Sequence, residues 1–194
     1  MLTMDNAKVR IRKAELADIP TLDALIPQSV RALQSKDYSD PQMEGALGTV
    51  FGVDRMLILD GTYLVAEVDS KIVACGGWSR RKTLFGSDNA PEKNDDWLDP
   101  AVDAARIRAF FVHPAWARQG IGSLLMTMCE QEAVSNGFKR LELGATLTGE
   151  PLYRAHGFHA IAQLEVPLPN GAVLPIVRMA KIVGQSLPPA NAGV

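Results

Sequence analysis

Two glycines where an apolar strand gives way to an amphipathic helix constrain this chain more than any other feature. The stretch runs Phe110-Phe111-Val112-His113-Pro114-Ala115-Trp116-Ala117-Arg118-Gln119-Gly120-Ile121-Gly122-Ser123. It reads as a strand, a sharp loop and the first turn of a helix. A helix start leaves its first backbone N–H groups unpaired and adds the positive end of the helix dipole, roughly half a charge. Folded around a glycine corner, those groups converge on an anion site suited to a pyrophosphate. A plain tight turn would also use Gly120 and Gly122, because glycine is the default residue for such turns. The context on both sides has to decide.

Two familiar phosphate loops do not fit. A Walker loop needs Gly-Lys-Ser/Thr, and Gly122 is followed by Ser123-Leu124. The dinucleotide fingerprint needs a third glycine where Leu125 stands. Other classes are excluded by composition. Twenty basic residues against 22 acidic give a net charge of −2, which lacks the basic footprint of a nucleic-acid binder. No apolar run approaches the roughly 18 residues of a bilayer span, so no membrane partner is expected. The opening residues lack an export signal, which points to the cytoplasm. Cys75 and Cys129 form no CxxC pair and sit in apolar settings, so both read as small core residues, and no metal is expected.

Along the chain, Val9 to Arg12 alternates like a short strand. Ala17 to Leu25 shows helical spacing, with Asp18 as N-cap and Pro20 in the first turn. Gln28 to Gln34 reads as a second helical segment, and Asp40-Pro41 opens a third. Thr62 to Val68 and Lys71 to Trp78, joined by Asp69-Ser70, form the clearest hairpin. Residues 80–100 are rich in Gly, Pro, Asn and Asp and read as an exposed, mobile insertion. In the strand Arg106 to Val112, alternation places Arg106, Arg108, Phe110 and Val112 on one face, unless a bulge breaks the phase. The helix from about Ile121 to Asn136 carries Ile121, Leu124, Leu125, Met128 and Cys129 on one stripe and stops at Gly137. A strand at Arg140 to Gly144, a short helix from Pro151 to His156, and strands at Leu164 to Leu168 and Val173 to Met179 complete the order. This order predicts an α/β fold of three layers, a mixed sheet with helices on both faces. Residues 1–183 form one domain in this reading, and 184–194 a flexible tail.

In element order and motif the chain resembles the GNAT superfamily of acetyl-CoA-dependent N-acetyltransferases, most strongly from Arg106 to Phe158. The family's phosphate loop is commonly Arg/Gln-x-x-Gly-x-Gly/Ala, matched here by Ala117-Arg118-Gln119-Gly120-Ile121-Gly122 with Ala117 as a departure. Backbone N–H groups do most of the work there, so the departure leaves binding intact, and Arg118 offers side-chain charge. Pro151-Leu152-Tyr153-Arg154-Ala155-His156-Gly157-Phe158 matches the family's Tyr-x-x-x-Gly-Phe segment, whose tyrosine often sits beside the coenzyme sulfur.

The resemblance implies a mostly antiparallel sheet splayed between the strands at 106–112 and 140–144. The pantetheine arm of acetyl-CoA would lie in that gap along Phe110, Phe111 and Val112. The diphosphate would sit at Arg118, Gln119, Gly120, Ile121, Gly122 and Ser123, with Tyr153 as general acid toward the departing thiolate. The expected reaction is acetyl transfer to a primary amine of a small molecule or peptide. The alternative is a non-catalytic acyl-CoA-binding regulatory module. Glu142, Glu150, His156 or water are candidates for the base. Tyr38, Trp78, Arg80, Arg81 and Arg108 are candidates for acceptor selection, Arg108 through an acidic group on the acceptor. A homodimer is expected by resemblance.

Overall fold

The computed structural model describes residues 9–91 and 93–183. A seven-stranded sheet has the order β1-β2-β3-β4-β5-β7-β6. Its strands are β1 (Arg10–Lys13), β2 (Tyr63–Val68), β3 (Lys71–Ser79), β4 (Ala105–Val112), β5 (Arg140–Thr146), β6 (His159–Pro167) and β7 (Val173–Ile182). Every neighbouring pair is antiparallel except β4 and β5. The helices are α1 (Ile19–Leu33), α2 (Asp40–Ala46), α3 (Arg55–Leu59), α4 (Ile121–Ser135) and α5 (Glu150–Ala155). This is the three-layer mixed fold expected from the element order.

The period of two along β2 explains the layers. Leu64, Ala66 and Val68 point into a core shared with α4, while Tyr63 and Val65 point into a second core shared with α1, α2 and α3. A strand buried on both faces has to be largely apolar, and β2 is, except at Glu67, which is half-buried and paired with Arg12 of β1 at 2.8 Å. Its hairpin to β3 turns on Asp69 and Ser70 at φ 49° and 62°, the left-handed pair that matches the twist of two flanking strands.

Several expectations change. The two helical segments at 17–25 and 28–34 are one helix, α1, which runs through Pro27. Its buried stripe of Leu22, Leu25, Ile26 and Val30 outweighs the backbone bond that Pro27 removes. Asp18 occupies the N-cap position, yet its carboxylate does not cap α1 and instead holds Arg12 at 2.7 Å. Helix α3 was not legible, being one short turn. On α4, Leu124 is exposed and Met126 takes its place in the core. Strand β6 begins at His159, five residues before the apolar alternation starts at Leu164, because residues 159–163 are exposed on the sheet's edge.

The 80–100 insertion is exposed over much of its length, as expected, yet it is hydrogen-bonded into the domain. It doubles back on itself, with Thr83 N–H donating to Asn94 C=O at 3.0 Å and Leu98 N–H to Arg80 C=O at 2.8 Å. Its turn is pinned to the rest of the domain, where Ser87 N–H reaches Thr49 C=O at 2.6 Å and Lys93 reaches the buried Asp54 at 3.0 Å. Leu98 and Ser87 are buried. The segment is a wall of the domain rather than a loose excursion.

Candidate active site

The site exists because two strands that begin as neighbours part. Parallel pairing of β4 and β5 is confined to Ala105–Leu141 and Arg106–Glu142. A bulge in β4 drives the divergence. Its register against β3 shifts between Cys75 and Gly77, and Ala109 adopts φ 56°. The extra residue inverts the phase of the strand. Ile107, Phe110 and Val112 pack toward α4, while Phe111 joins the opposite core. Gly76 makes room for this, because a Cβ there would lie 2.8 Å from the Phe110 ring. Arg108 and Phe110 therefore do not share a face, contrary to simple alternation.

A cleft of about 920 Å³ opens through the gap. At one end lies the glycine corner. Arg118 and Gly120 take φ 64° and 84°, which turns the chain into α4. Leu124 N–H closes onto Gly120 C=O at 3.0 Å. Among the described residues, no backbone N–H from Arg118 to Ser123 has a protein acceptor. Such a row of donors, reinforced by the helix dipole, is a strong site for an anion. The Arg118 side chain lines the cleft without an ion pair among the described residues. An alanine at Gly122 would make only ordinary contacts, with Leu152 at 3.4 Å and Val112 at 3.9 Å, so the protein's own packing does not demand glycine there. At Gly120 the left-handed backbone does.

Tyr153, on α5, faces the same cleft. Its ring is wedged between Phe110 and Phe158, at centroid distances of 6.3 and 6.1 Å. Gly149 lets it settle, since a Cβ there would come within 3.1 Å of the ring. The hydroxyl has no hydrogen-bond partner among the described residues, unlike that of Tyr38, which is spent on Pro175 C=O at 2.7 Å and Leu147 N–H at 2.9 Å. Burial pushes the Tyr153 phenol well above its ordinary value.

The expected coenzyme residues thus gather at one cleft, which is lined by Phe110, Phe111, Val112, Arg118, Gly120, Ile121, Gly122 and Ser123. Gln119, also expected there, is not among the lining residues, and its side-chain amide folds back to donate to Ala115 C=O at 3.1 Å. Val112 N–H, expected to pair with an extended ligand, already donates to Ser29 Oγ of α1 at 3.2 Å.

The candidate bases fare differently. Glu142 is held between Arg106 at 2.7 Å and Arg178 at 2.6 Å, so its charge is committed. Glu150 pairs with Arg154 one turn on, at the start of α5. His156 ends α5, and burial with Lys181 nearby lowers its proton affinity. None of the three lines the cleft. His113 caps a short turn, its Nδ1 accepting Ala115 N–H at 3.2 Å. Burial raises both thiols, Cys75 to about 12, which removes them as nucleophiles.

Most acceptor-selecting candidates are corrected too. Trp78 is a core residue whose indole N–H donates to Glu132 at 2.9 Å. Tyr38 is buried and structural. Arg80 and Arg81 stack on Trp97, at 5.0 and 4.2 Å, away from the cleft. Arg108 does line the cleft, but Asp54 covers its charge at 2.7 Å and Gly86 C=O takes another N–H at 2.7 Å. The groups that sequence reasoning missed are Ser29, Gln34 and Asp37 on and after α1, Phe85 on the insertion, and Thr148 after β5. Nothing in their local spacing marks them, since they arrive from three separate parts of the chain, α1 and its end, the insertion and the loop after β5.

Among the described residues, no cluster of three or more His, Cys, Asp or Glu side chains is placed to hold a metal ion, and no helix is long and apolar enough to cross a membrane. A search of curated proteins returned no match. Solved structures share the fold. A GCN5-related N-acetyltransferase from Rhodopseudomonas palustris aligns at TM-score 0.67 and 20% identity, over 93% of this chain and 99% of that one. PaiA N-acetyltransferase from Thermoplasma acidophilum, in complex with coenzyme A, aligns at 0.61 and 15%, over 91% and 99%. YncA, a putative acetyltransferase from Salmonella typhimurium with its cofactor acetyl-CoA, aligns at 0.60 and 17%, over 95% and 99%. The acetyltransferase (GNAT) domain profile matches residues 59–160, more than half of the chain and the whole of the splayed cleft's β4, α4 and β5. The chain belongs to the GNAT acetyltransferase family and is an acyltransferase.

Proposed function

We propose that this protein moves the acetyl group of acetyl-CoA to a primary amine of a small molecule or peptide, by direct attack with both substrates bound. The observation that carries this is a pair of unspent functions in one cleft, the free N–H row from Arg118 to Ser123 and the unpartnered hydroxyl of Tyr153. The N–H row suits the diphosphate of the coenzyme, and the gap between β4 and β5 is the path for its extended arm. Fixing both ends of a donor holds the thioester in one place, which supplies much of the rate gain in a bimolecular transfer. The coenzyme-bound relatives in Thermoplasma acidophilum and Salmonella typhimurium support the same donor here.

In the reaction the amine nitrogen forms a bond to the thioester carbon and the carbon–sulfur bond breaks. Sulfur takes a proton and the nitrogen loses one. Tyr153 is assigned as the donor to sulfur. Its raised phenol stays protonated at neutral pH. A thiol near 8.5 is a stronger acid than this phenol, so complete transfer is uphill unless the tyrosine regains a proton as the amine releases its own. With Glu142, Glu150 and His156 outside the cleft, water is the route for that proton. The free edge of β6 also supports the homodimer implied by the family resemblance.

The test pairs calorimetric binding of coenzyme A with thiol release from acetyl-CoA across an amine and peptide panel. Tyr153→Phe should keep coenzyme affinity within about twofold and lose 10²-fold or more in turnover, the range for a general acid. Unchanged turnover removes the acid role. Coenzyme binding without release on any acceptor favours a regulatory module instead.

A further inference from the structure

The cleft's two ends differ in what they can hold. Toward α4 it ends in the N–H corner. Toward α1 and the insertion it is walled by Leu33, Val50, Phe51, Leu84, Phe85 and Ile176. Two polar groups interrupt that apolar wall, and the fold satisfies neither fully. Gln34 is only 7% exposed, and its side-chain oxygen is buried without a hydrogen-bond partner. A buried acceptor left open in this way gains when a ligand supplies an N–H. Asp37 is the only carboxylate among the described residues that line the cleft. It is held in place by the Thr148 hydroxyl, which donates to its Oδ2 at 2.6 Å.

That bond ties the end of α1 to the loop after β5, where Gly149 carries the Tyr153 ring. Asp37 is thereby fixed to the loop that leads into α5, the helix that carries the proposed acid. The cations of the cleft are Lys36, Arg108 and Arg118. Arg118 belongs to the corner and Arg108 is covered by Asp54. Only Lys36, exposed like Asp37, competes with it for the sign of what enters here, and Asp37 is the one of the two that a side chain across the cleft holds in place.

We propose that Asp37 and Gln34 form the subsite that receives the acceptor's amino group as a cation, and that the acceptor is an alkylammonium with an apolar body and no carboxylate. This rests on the transferase reading above, because it assigns the end of the cleft opposite the diphosphate to the acceptor. The Asp37 carboxylate holds the ammonium at the mouth, the Gln34 oxygen takes one of its N–H bonds, and the body packs on Phe51 and Phe85. The proton leaves through water once the amine has been placed.

The experiment is calorimetric titration of the coenzyme A complex, a dead-end state that needs no turnover. The probes are 2-phenylethylamine, 3-phenylpropionate and phenylalanine, which share one apolar body and differ in charge. 2-Phenylethylamine should bind at least tenfold more tightly than the other two. Asp37→Asn should weaken it about tenfold and Thr148→Val severalfold, with coenzyme A affinity unchanged in both. Failure of 2-phenylethylamine to bind the wild type overturns the proposal, as does equal binding by Asp37→Asn. So does tighter binding of 3-phenylpropionate that is lost in Lys36→Met. Amine binding that depends on Asp37, with no thiol release from acetyl-CoA on any acceptor, would sustain the subsite and remove the transferase. Thiol release indifferent to Asp37 would do the reverse.

Discussion

Asp54 ties three parts of the chain together through one buried carboxylate. It is fully buried and faces two cations, Arg108 at 2.7 Å and Lys93 at 3.0 Å, while its backbone starts α3 and its carboxylate caps Met56 N–H. Two cations on one carboxylate would be costly if the carboxylate were lost, because Arg108 has 3% of its side chain exposed and nowhere to go for solvation. Asp54→Asn should therefore destabilise the fold by about 3–5 kcal/mol, the cost of breaking a buried pair from one side. Urea midpoints of the variant and wild type check this, and a loss under about 1 kcal/mol would mean that water reaches the pair. The consequence for function is as large. Arg108 looks like an anion hook in the sequence, and only the arrival of Asp54 from a distant loop shows that its charge is already met.

At the scale of elements, the insertion shapes the end of the cleft proposed above for the acceptor. Phe85 leans across the gap, and a Cβ on Gly144 would meet its ring at 3.1 Å. The ring belongs to one wall and the glycine to β5, so together they set the depth of the cleft. Phe85→Ala should cost about 1 kcal/mol, since the side chain is half-buried and forfeits part of its apolar burial. It should also lower KM for bulky amines and raise it for slender ones, measured as a ratio across a series of increasing girth. A ratio unchanged from the wild type would show that the wall plays no part in selection. The bulge in β4 belongs to this scale as well. One added residue at Ala109 separates Arg108 from Phe110 and opens the strand pair, an effect no propensity of alanine foretells.

For the whole molecule, the three tyrosines act together under alkali. Tyr38 is pushed up to about 12, and burial also raises Tyr63 and Tyr153 well above their ordinary value. Their unfolded counterparts titrate near 10. Above that point the unfolded state releases protons that the folded state keeps, so each tyrosine contributes stability that is complete below about pH 10 and is lost as pH rises toward its folded value. The slope is about 1.4 kcal/mol per pH unit for each phenol. Absorbance at tyrosinate wavelengths should stay flat to about pH 11 and then rise in step with loss of the circular dichroism signal. A smooth titration near 10 with the fold intact would contradict the burial of all three. How much of this protein is legible from residues alone follows the range of the interactions. The hairpin on Asp69-Ser70, the helix start at Gly120 and the Tyr153 segment depend on neighbours within a turn or two, and their patterns stand in the chain itself. The splayed sheet was legible only through resemblance to a family. The meeting of Asp37 with Thr148, of Arg108 with Asp54 and of Phe85 with Gly144 joins residues 111, 54 and 59 positions apart. Local order writes itself into sequence as periodicity, whereas contacts closed over such loops are selected by the packing of the finished domain.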